Sequence, residues 1–110
     1  MKRRVLLPAF ASLLLAACSG EPNSDDILKA LNADPKFQMT LGMLAGSQAN
    51  LDAMKKNGVV EKSGCKDAQG APGYVCDFRW GTKGPDGHVR YGNPMRGRLF
   101  KTSQGWAGEF

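Results

Sequence analysis

Histidine is nearly absent from this chain, with His88 standing alone among 110 residues. A zinc site or a nucleophile–base pair needs several His, Cys or carboxylate groups that converge, and His88 has no partner at ligand spacing. The glycines are scattered over turns and strands, so no phosphate-binding loop is present, and no calcium-loop spacing occurs. These shortages predict a protein that is not an enzyme, holds no metal and uses no cofactor.

Long hydrophobic runs are also lacking. The longest extends from Val5 to Ala17, about 13 residues interrupted by Pro8, whereas a membrane-spanning helix needs roughly 20. Three basic residues, at positions 2–4, precede this run. A basic start, a short apolar middle and small residues at the end are typical of a secretory signal peptide. We therefore favour a cleaved signal over residues 1–17 rather than a transmembrane anchor.

The signal ends in Leu15-Ala16-Ala17-Cys18, which resembles the lipobox of bacterial lipoproteins. In that family the cysteine thiol receives a diacylglycerol, the preceding peptide is removed, and the new N-terminus is acylated, commonly with palmitate. The resemblance implies that Cys18 carries the lipid and anchors the mature chain in the membrane. It also implies a location in the cell envelope, facing the periplasm, and Ser19 favours the outer membrane over the inner one.

Charge of one sign is not in large excess once the signal is set aside. The formal net charge of the whole chain is +5, but three of its fifteen basic residues lie before Cys18. The mature chain would carry twelve basic and ten acidic residues, a net charge of +2. No nucleic-acid motif is present, so we expect no nucleic-acid partner.

The remaining length suits one small domain, which we place at residues 24–110, after a lipidated tether at 18–23.

Cysteine is sparse as well. If Cys18 is lipidated, only Cys65 and Cys76 remain. An even pair in an oxidising periplasm predicts a Cys65–Cys76 disulfide. The competing use, a metal site, would need at least two further ligands.

Helical signals occupy the first half of the proposed domain. Asn23 or Ser24 can cap a first helix, and Asp34 followed by Pro35 can start a second. Apolar residues then recur at helical spacing as far as Met54, although the sequence leaves open whether this helix bends or breaks around Gly46. Gly58 suits a left-handed terminating position. We interpret three methionines of this stretch as core-filling residues rather than as the lip of a binding site, which is the alternative: Met39, Met43 and Met54.

Strand signals occupy the second half. The clearest is the alternation of Tyr74, Cys76, Phe78 and Trp80 with Val75, Asp77 and Arg79, and turn residues separate it from further short strands. A hairpin between the segment at 59–65 and this strand would bring Cys65 near Cys76. Together these patterns predict an α+β fold with N-terminal helices packed on one face of a 4–5-stranded antiparallel meander sheet. In its order of elements, the mature domain loosely resembles small cystatin-like or NTF2-like periplasmic lipoprotein domains.

Basic and aromatic residues concentrate in the strand half. Such a face can be a solvated surface whose arginine stems cover aromatic rings, or it can be a recognition surface, because Arg, Trp and Tyr are enriched in binding hot spots. The candidate partner-binding residues are Arg79, Arg90, Tyr91, Arg96 and Arg98.

Taken together, these features predict a lipid-anchored periplasmic binding module, an accessory subunit of an envelope or secretion assembly. Its partners would be the membrane, through the lipid on Cys18, and another envelope protein. Two alternatives stay open: an inhibitor or immunity lipoprotein that blocks a periplasmic enzyme or toxin through the loop at 81–87, and a small-ligand carrier.

Overall fold

A computed structural model describes residues 20–110, so the predicted signal peptide and Cys18 lie outside the described residues. Within this range three helices precede a five-stranded antiparallel sheet, which confirms the predicted α+β class. No helix in this range has the length and apolar character needed to cross a membrane. The elements are α1 (Ser24–Ala33), α2 (Pro35–Ala45), α3 (Gln48–Lys56), β1 (Gly58–Asp67), β2 (Tyr74–Lys83), β3 (Val89–Tyr91), β4 (Met95–Thr102) and β5 (Gly105–Glu109).

The first helix begins at a capping box, and its cap is Asn23 rather than Ser24. The Asn23 side chain accepts a hydrogen bond from Asp26 N at 2.8 Å, and the Asp26 carboxylate accepts one from Asn23 N at 2.9 Å. This reciprocal pair satisfies two backbone donors that the helix leaves free. Ser24 serves another purpose, because its hydroxyl accepts a hydrogen bond from Lys62 N at 3.3 Å and so links α1 to β1.

The second helical stretch breaks into α2 and α3. Asp34 caps α2 as the sequence predicts, accepting a hydrogen bond from Phe37 N at 2.9 Å with Pro35 in the first turn. Gly46, at φ 76°, takes the left-handed position that ends α2, and the Ser47 side chain caps α3.

The prediction that Gly58 supplies a left-handed helix terminus is wrong. Asn57 is the C-terminal cap of α3, and Gly58 is the first residue of β1. The need for glycine there is steric: a Cβ on Gly58 would lie 2.9 Å from the Trp80 indole nitrogen. The residue is small because an aromatic ring packs against the backbone.

The sheet is ordered β1-β2-β4-β5, with β3 pairing beside the second half of β2. One edge of β2 pairs with β1, whereas the other is shared by β4 over Tyr74–Phe78 and by β3 over Gly81–Lys83. In the β1–β2 register Cys65 lies directly opposite Cys76, and the two cysteines form the predicted disulfide. The disulfide therefore closes the central hairpin of the fold.

The core lies between α1 and one face of the sheet. Helix α1 contacts the two edge strands β1 and β5, so it crosses the sheet. The second helix joins this core through Phe37, whose ring packs edge-on against Trp80 at a centroid distance of 5.6 Å. The buried cluster consists of Ile27, Ala30, Leu31, Cys76, Phe78 and Leu99.

The prediction that the methionines fill the core is wrong for two of the three. Met39 is 69% exposed and Met43 is 78% exposed, whereas Met54 is partly buried. Phe37 and Leu41 occupy the inner side of α2. Met39 and Met43 are each two residues further along the helix, and this places them about 200° around it from the inner side. Two methionines one turn apart consequently lie on the solvent side of α2.

Candidate functional site

Two surfaces are candidates for interaction, and the first is the sheet face opposite α1. Successive residues of a strand point to opposite faces, so the burial of Cys76 and Phe78 beneath α1 places Asp77 and Arg79 on the outer face. The register adds Arg96 and Arg98 from β4, since Arg96 is opposite Asp77 and Arg98 is opposite Val75. Three of the four candidate arginines therefore share this face.

Each of these three arginines faces a carboxylate on the neighbouring strand. Arg79 pairs with Glu61. Arg96 Nε lies 2.8 Å from Asp77 Oδ1, and Arg98 Nη2 lies 3.0 Å from Glu109 Oε1. Cross-strand pairs of opposite charge stabilise a sheet, but only modestly where solvent screens them. The face presents neutralised ion pairs rather than free guanidinium groups.

The Arg96–Asp77 pair also shifts proton affinity. The hydrogen bond from the Arg96 guanidinium lowers the pKa of the Asp77 carboxyl, partial desolvation opposes this shift, and the charges of Arg96 and Lys66 act in the same direction as the hydrogen bond. The same hydrogen bond raises the pKa of Arg96. Both changes favour the charged forms, so the pair persists at neutral pH.

Aromatic rings support two of the arginines. The Arg79 guanidinium carbon lies 4.7 Å from the centroid of the Tyr91 ring, and that of Arg98 lies 4.5 Å from the centroid of Phe100. Arg90 is separate from this group. It alternates with Tyr91 along β3 and is opposite Thr82, so it belongs to the other face of the sheet. The structure thus brings together four of the five candidate residues and not Arg90.

The second candidate surface lies on α2 and was missed by the sequence analysis. Lys36, Met39, Thr40 and Met43 fall on one side at helical spacing, and Leu44 lies one turn after Thr40 at the border of this side. Leu44 is 72% exposed, so it joins Met39 and Met43 as a large apolar side chain in solvent. We call these three residues, together with Lys36 and Thr40, the α2 surface.

A groove continues from the α2 surface toward the sheet. It has a volume of about 380 Å³. Lys36 closes one end, because its ammonium group donates a hydrogen bond to Phe110 O at 3.1 Å. Helix α2 contains no acidic residue, and the carboxylate of Asp34, at its start, is occupied by the hydrogen bond from Phe37 N. The groove is lined by Asp34, Lys36, Phe37, Thr40, Met95 and Phe110.

A sequence signal for this surface exists in retrospect. Phe37 and Leu41 are four residues apart and turn inward, whereas Met39 and Met43 are also four apart but two positions out of phase. Two residues correspond to about 200° of helical rotation. A helix with apolar residues on opposite sides is either buried all round or lacks a partner on one side. When all apolar residues from Phe37 to Met54 are assigned to one side of the helix, the separate side that carries Met39 and Met43 is overlooked.

Comparisons with models of protein families, with curated protein sequences and with solved structures found no match to this chain. Among residues 20–110 no three His, Cys, Asp or Glu side chains converge in a way that could hold a metal ion.

Proposed function

We propose that this protein is a lipid-anchored, non-enzymatic binding module of the bacterial cell envelope. In this proposal Cys18 carries the lipid, the rest of the mature chain faces the periplasm, and the domain is an accessory subunit that binds an envelope protein. The observation that supports binding most strongly is the exposure of Met39, Met43 and Leu44 on one helix, at 69%, 78% and 72%. Single exposed apolar residues are ordinary, but a contiguous patch of them marks an interaction site.

The chemistry of the α2 surface favours a protein partner over a small ligand. Methionine side chains are flexible and polarizable, and they recur at surfaces that adapt to protein partners. Small-molecule sites instead bury most of their ligand in a concave pocket, whereas Met39 and Met43 stand exposed outside the neighbouring groove. The partner surface we expect is an apolar patch with a carboxylate able to reach Lys36.

The sheet face that carries Arg79, Arg96 and Arg98, which we call the arginine face, supports the proposal less well than the α2 surface. Its three guanidinium groups have carboxylate partners within the same sheet, and a partner would have to displace Glu61, Asp77 and Glu109 to use them. Exchanging one exposed ion pair for another yields little free energy. We therefore propose the α2 surface, rather than Arg79, Arg96 and Arg98, as the primary binding site.

A mild-crosslinking pull-down of the full-length lipoprotein from its own membranes tests this proposal. We expect one dominant envelope protein, and we expect a Met39→Glu/Met43→Glu variant to lose it. Arg96→Glu is the control, since Arg96 is equally exposed but lies on the sheet. Loss of the partner in Arg96→Glu alone would contradict the choice of surface. If the dominant partner is instead a periplasmic hydrolase or toxin, the assembly-subunit proposal is wrong and the inhibitor or immunity hypothesis takes its place.

The lipid anchor has its own test. Wild-type protein should remain with the membrane after carbonate washing, and the mass of the mature chain should equal residues 18–110 plus one diacylglyceryl group and one N-acyl group. Cys18→Ser protein should be released into the soluble fraction. Retention of the serine variant in the membrane, or a mature mass without lipid, would overturn this part of the proposal.

A further inference from the structure

Gly20, the first described residue, lines a groove together with Tyr74, Trp106 and Lys101. From this placement we infer that the face formed by Tyr74, Trp106 and Lys101 rests on the phospholipid headgroup layer of the membrane to which the protein is anchored. This inference rests on the proposed lipid at Cys18. It adds a membrane-contact surface and fixes which end of the sheet faces the bilayer.

The position of the anchor is the first step. The chain is held against the domain before α1 begins, because Pro22 is fully buried and Glu21 pairs with the Lys62 ammonium at 2.8 Å. Lys62 Nζ also donates a hydrogen bond to Pro22 O at 2.9 Å. Gly20 then lines a groove of about 390 Å³. Cys18 is two residues from Gly20, and two residues span at most about 7 Å, so chain length keeps a lipid on Cys18 within reach of this groove.

The groove has the side-chain chemistry of a membrane interface. The Tyr74 and Trp106 rings pack with centroids 6.2 Å apart, and the Lys101 ammonium lies 5.3 Å from the Trp106 centroid. Tyrosine and tryptophan, with an apolar ring and a polar edge, concentrate at the headgroup level of bilayers. An exposed lysine beside them can pair with the phosphate of a phospholipid. Acidic groups also border this face, since Asp67 is opposite Tyr74 in the β1–β2 register and Asp26 on α1 lines an adjoining groove together with Lys29, Lys101 and Trp106.

The wall of the groove is built into the β1–β2 turn. Gly73 has φ 97°, and a Cβ there would collide with Leu99 O, so the turn presses directly on β4. Arg98 Nη1 donates a hydrogen bond to Pro72 O at 2.6 Å, which holds the turn from the other side. The surface next to the anchor is thus already shaped in the free protein, and resting on the membrane requires little ordering.

The two tryptophans of the chain give a direct test. Trp80 lies six residues along β2 from Tyr74, which corresponds to about 20 Å at the rise of an antiparallel strand. Native lipidated protein would be reconstituted into vesicles of phosphatidylethanolamine and phosphatidylglycerol containing a lipid with a nitroxide near its headgroup. Trp80→Phe leaves Trp106 as the only reporter, and Trp106→Phe leaves Trp80. We expect quenching of Trp106 to exceed quenching of Trp80 by roughly twofold or more, because only Trp106 belongs at the interface.

A second pair of variants avoids changes in the core. Lys101→Glu should reduce quenching of Trp106 in the Trp80→Phe background. Lys83→Glu makes the same charge change at the other end of β2, where the side chain is also exposed, and should leave quenching unchanged.

The outcomes separate this inference from the proposed function. A mature mass without lipid overturns the anchor, and with it the membrane-contact face. A lipidated protein in which Trp80 is quenched as strongly as Trp106 overturns the face alone and leaves the proposed binding module standing. Equal effects of Lys101→Glu and Lys83→Glu would likewise contradict a specific role for Lys101.

Discussion

The α1–sheet unit and the α2–α3 hairpin differ in how completely they bury their apolar side chains. In the first, Leu31 and Phe78 are completely buried between helix and sheet. In the second, α3 has no fully buried residue, and α2 buries only Leu41 fully while Met39 and Met43 remain in solvent. Burial of apolar surface is the main stabilising term in folding. The α1–sheet unit is therefore the framework, and the α2–α3 hairpin is the part that leaves apolar surface exposed.

The largest expected difference between the two regions comes from the same substitution in each. Leu31→Ala removes a side chain that is 0% exposed, whereas Leu44→Ala removes one that is 72% exposed. We expect Leu31→Ala to lower the free energy of unfolding by about 2–5 kcal/mol through lost transfer energy and a cavity, and Leu44→Ala to change it by less than about 0.5 kcal/mol. Urea denaturation measures both. Similar losses in the two variants would mean that Leu44 is not a solvent-facing residue.

Removal of the disulfide has the second-largest expected effect on stability, because this bond closes the β1–β2 hairpin of the framework. Replacing both cysteines, Cys65→Ala with Cys76→Ala, should lower the free energy of unfolding by about 3 kcal/mol for a loop of this length. Unreduced, denatured protein should show no free thiol at either position. Labelling of both cysteines in periplasmic material would contradict the bond, and an unchanged denaturation midpoint in the double variant would contradict its contribution.

This part of the fold was accessible from sequence because its signals agree with one another. The alternation from Tyr74 to Trp80, the turn residues before it and the two cysteines all indicate the same hairpin, and the register indeed places Cys65 opposite Cys76. Asp34 and Pro35 likewise predict the start of α2, and the cap is observed. Local patterns that support each other in this way are typical of a framework region.

The cap of α2 gives an effect of intermediate size. Asp34→Ala removes the acceptor for Phe37 N and should lower the free energy of unfolding by about 1 kcal/mol. Because α2 holds few buried side chains, we expect its amides to lose more hydrogen-exchange protection than those of β2. Asp34→Asn, which retains the acceptor, is the matched control. Equal loss of hydrogen-exchange protection in α2 and β2 would indicate that the α2–α3 hairpin and the α1–sheet framework unfold as one unit.

The smallest effect concerns the arginine face and depends on pH. Since Arg96 lowers the pKa of Asp77 in the folded state, Asp77 contributes stability above its unfolded pKa, and this contribution is lost as the pH falls through the lower, folded value. Below about pH 4, near the unfolded value for aspartate, wild-type stability should fall more steeply with decreasing pH than that of Asp77→Asn. Parallel acid limbs in the two proteins would contradict the pairing of Asp77 with Arg96.

The candidate surfaces were harder to predict than the framework, for reasons visible in particular residues. The sequence marks Arg79, Arg96 and Arg98 as candidate partner-binding residues. Only the register reveals that they share a face and that Glu61, Asp77 and Glu109 stand opposite them. For α2, the apolar character of Met39 predicts a core residue. Which side of the helix faces inward is decided by tertiary packing, and in α2 that side carries Phe37 and Leu41. The orientation of a helix on its neighbours is not a local property of its sequence.

The central claim is that the α2 surface, and not the arginine face, binds the partner. The most direct measurement places a photo-crosslinking amino acid at position 43 or at position 96 of the full-length lipoprotein in its own membranes. If the α2 surface is the binding site, we expect a single prominent adduct from position 43 and none from position 96, although both sites are exposed. An adduct from position 96 with none from position 43 would contradict it and return the binding site to the sheet.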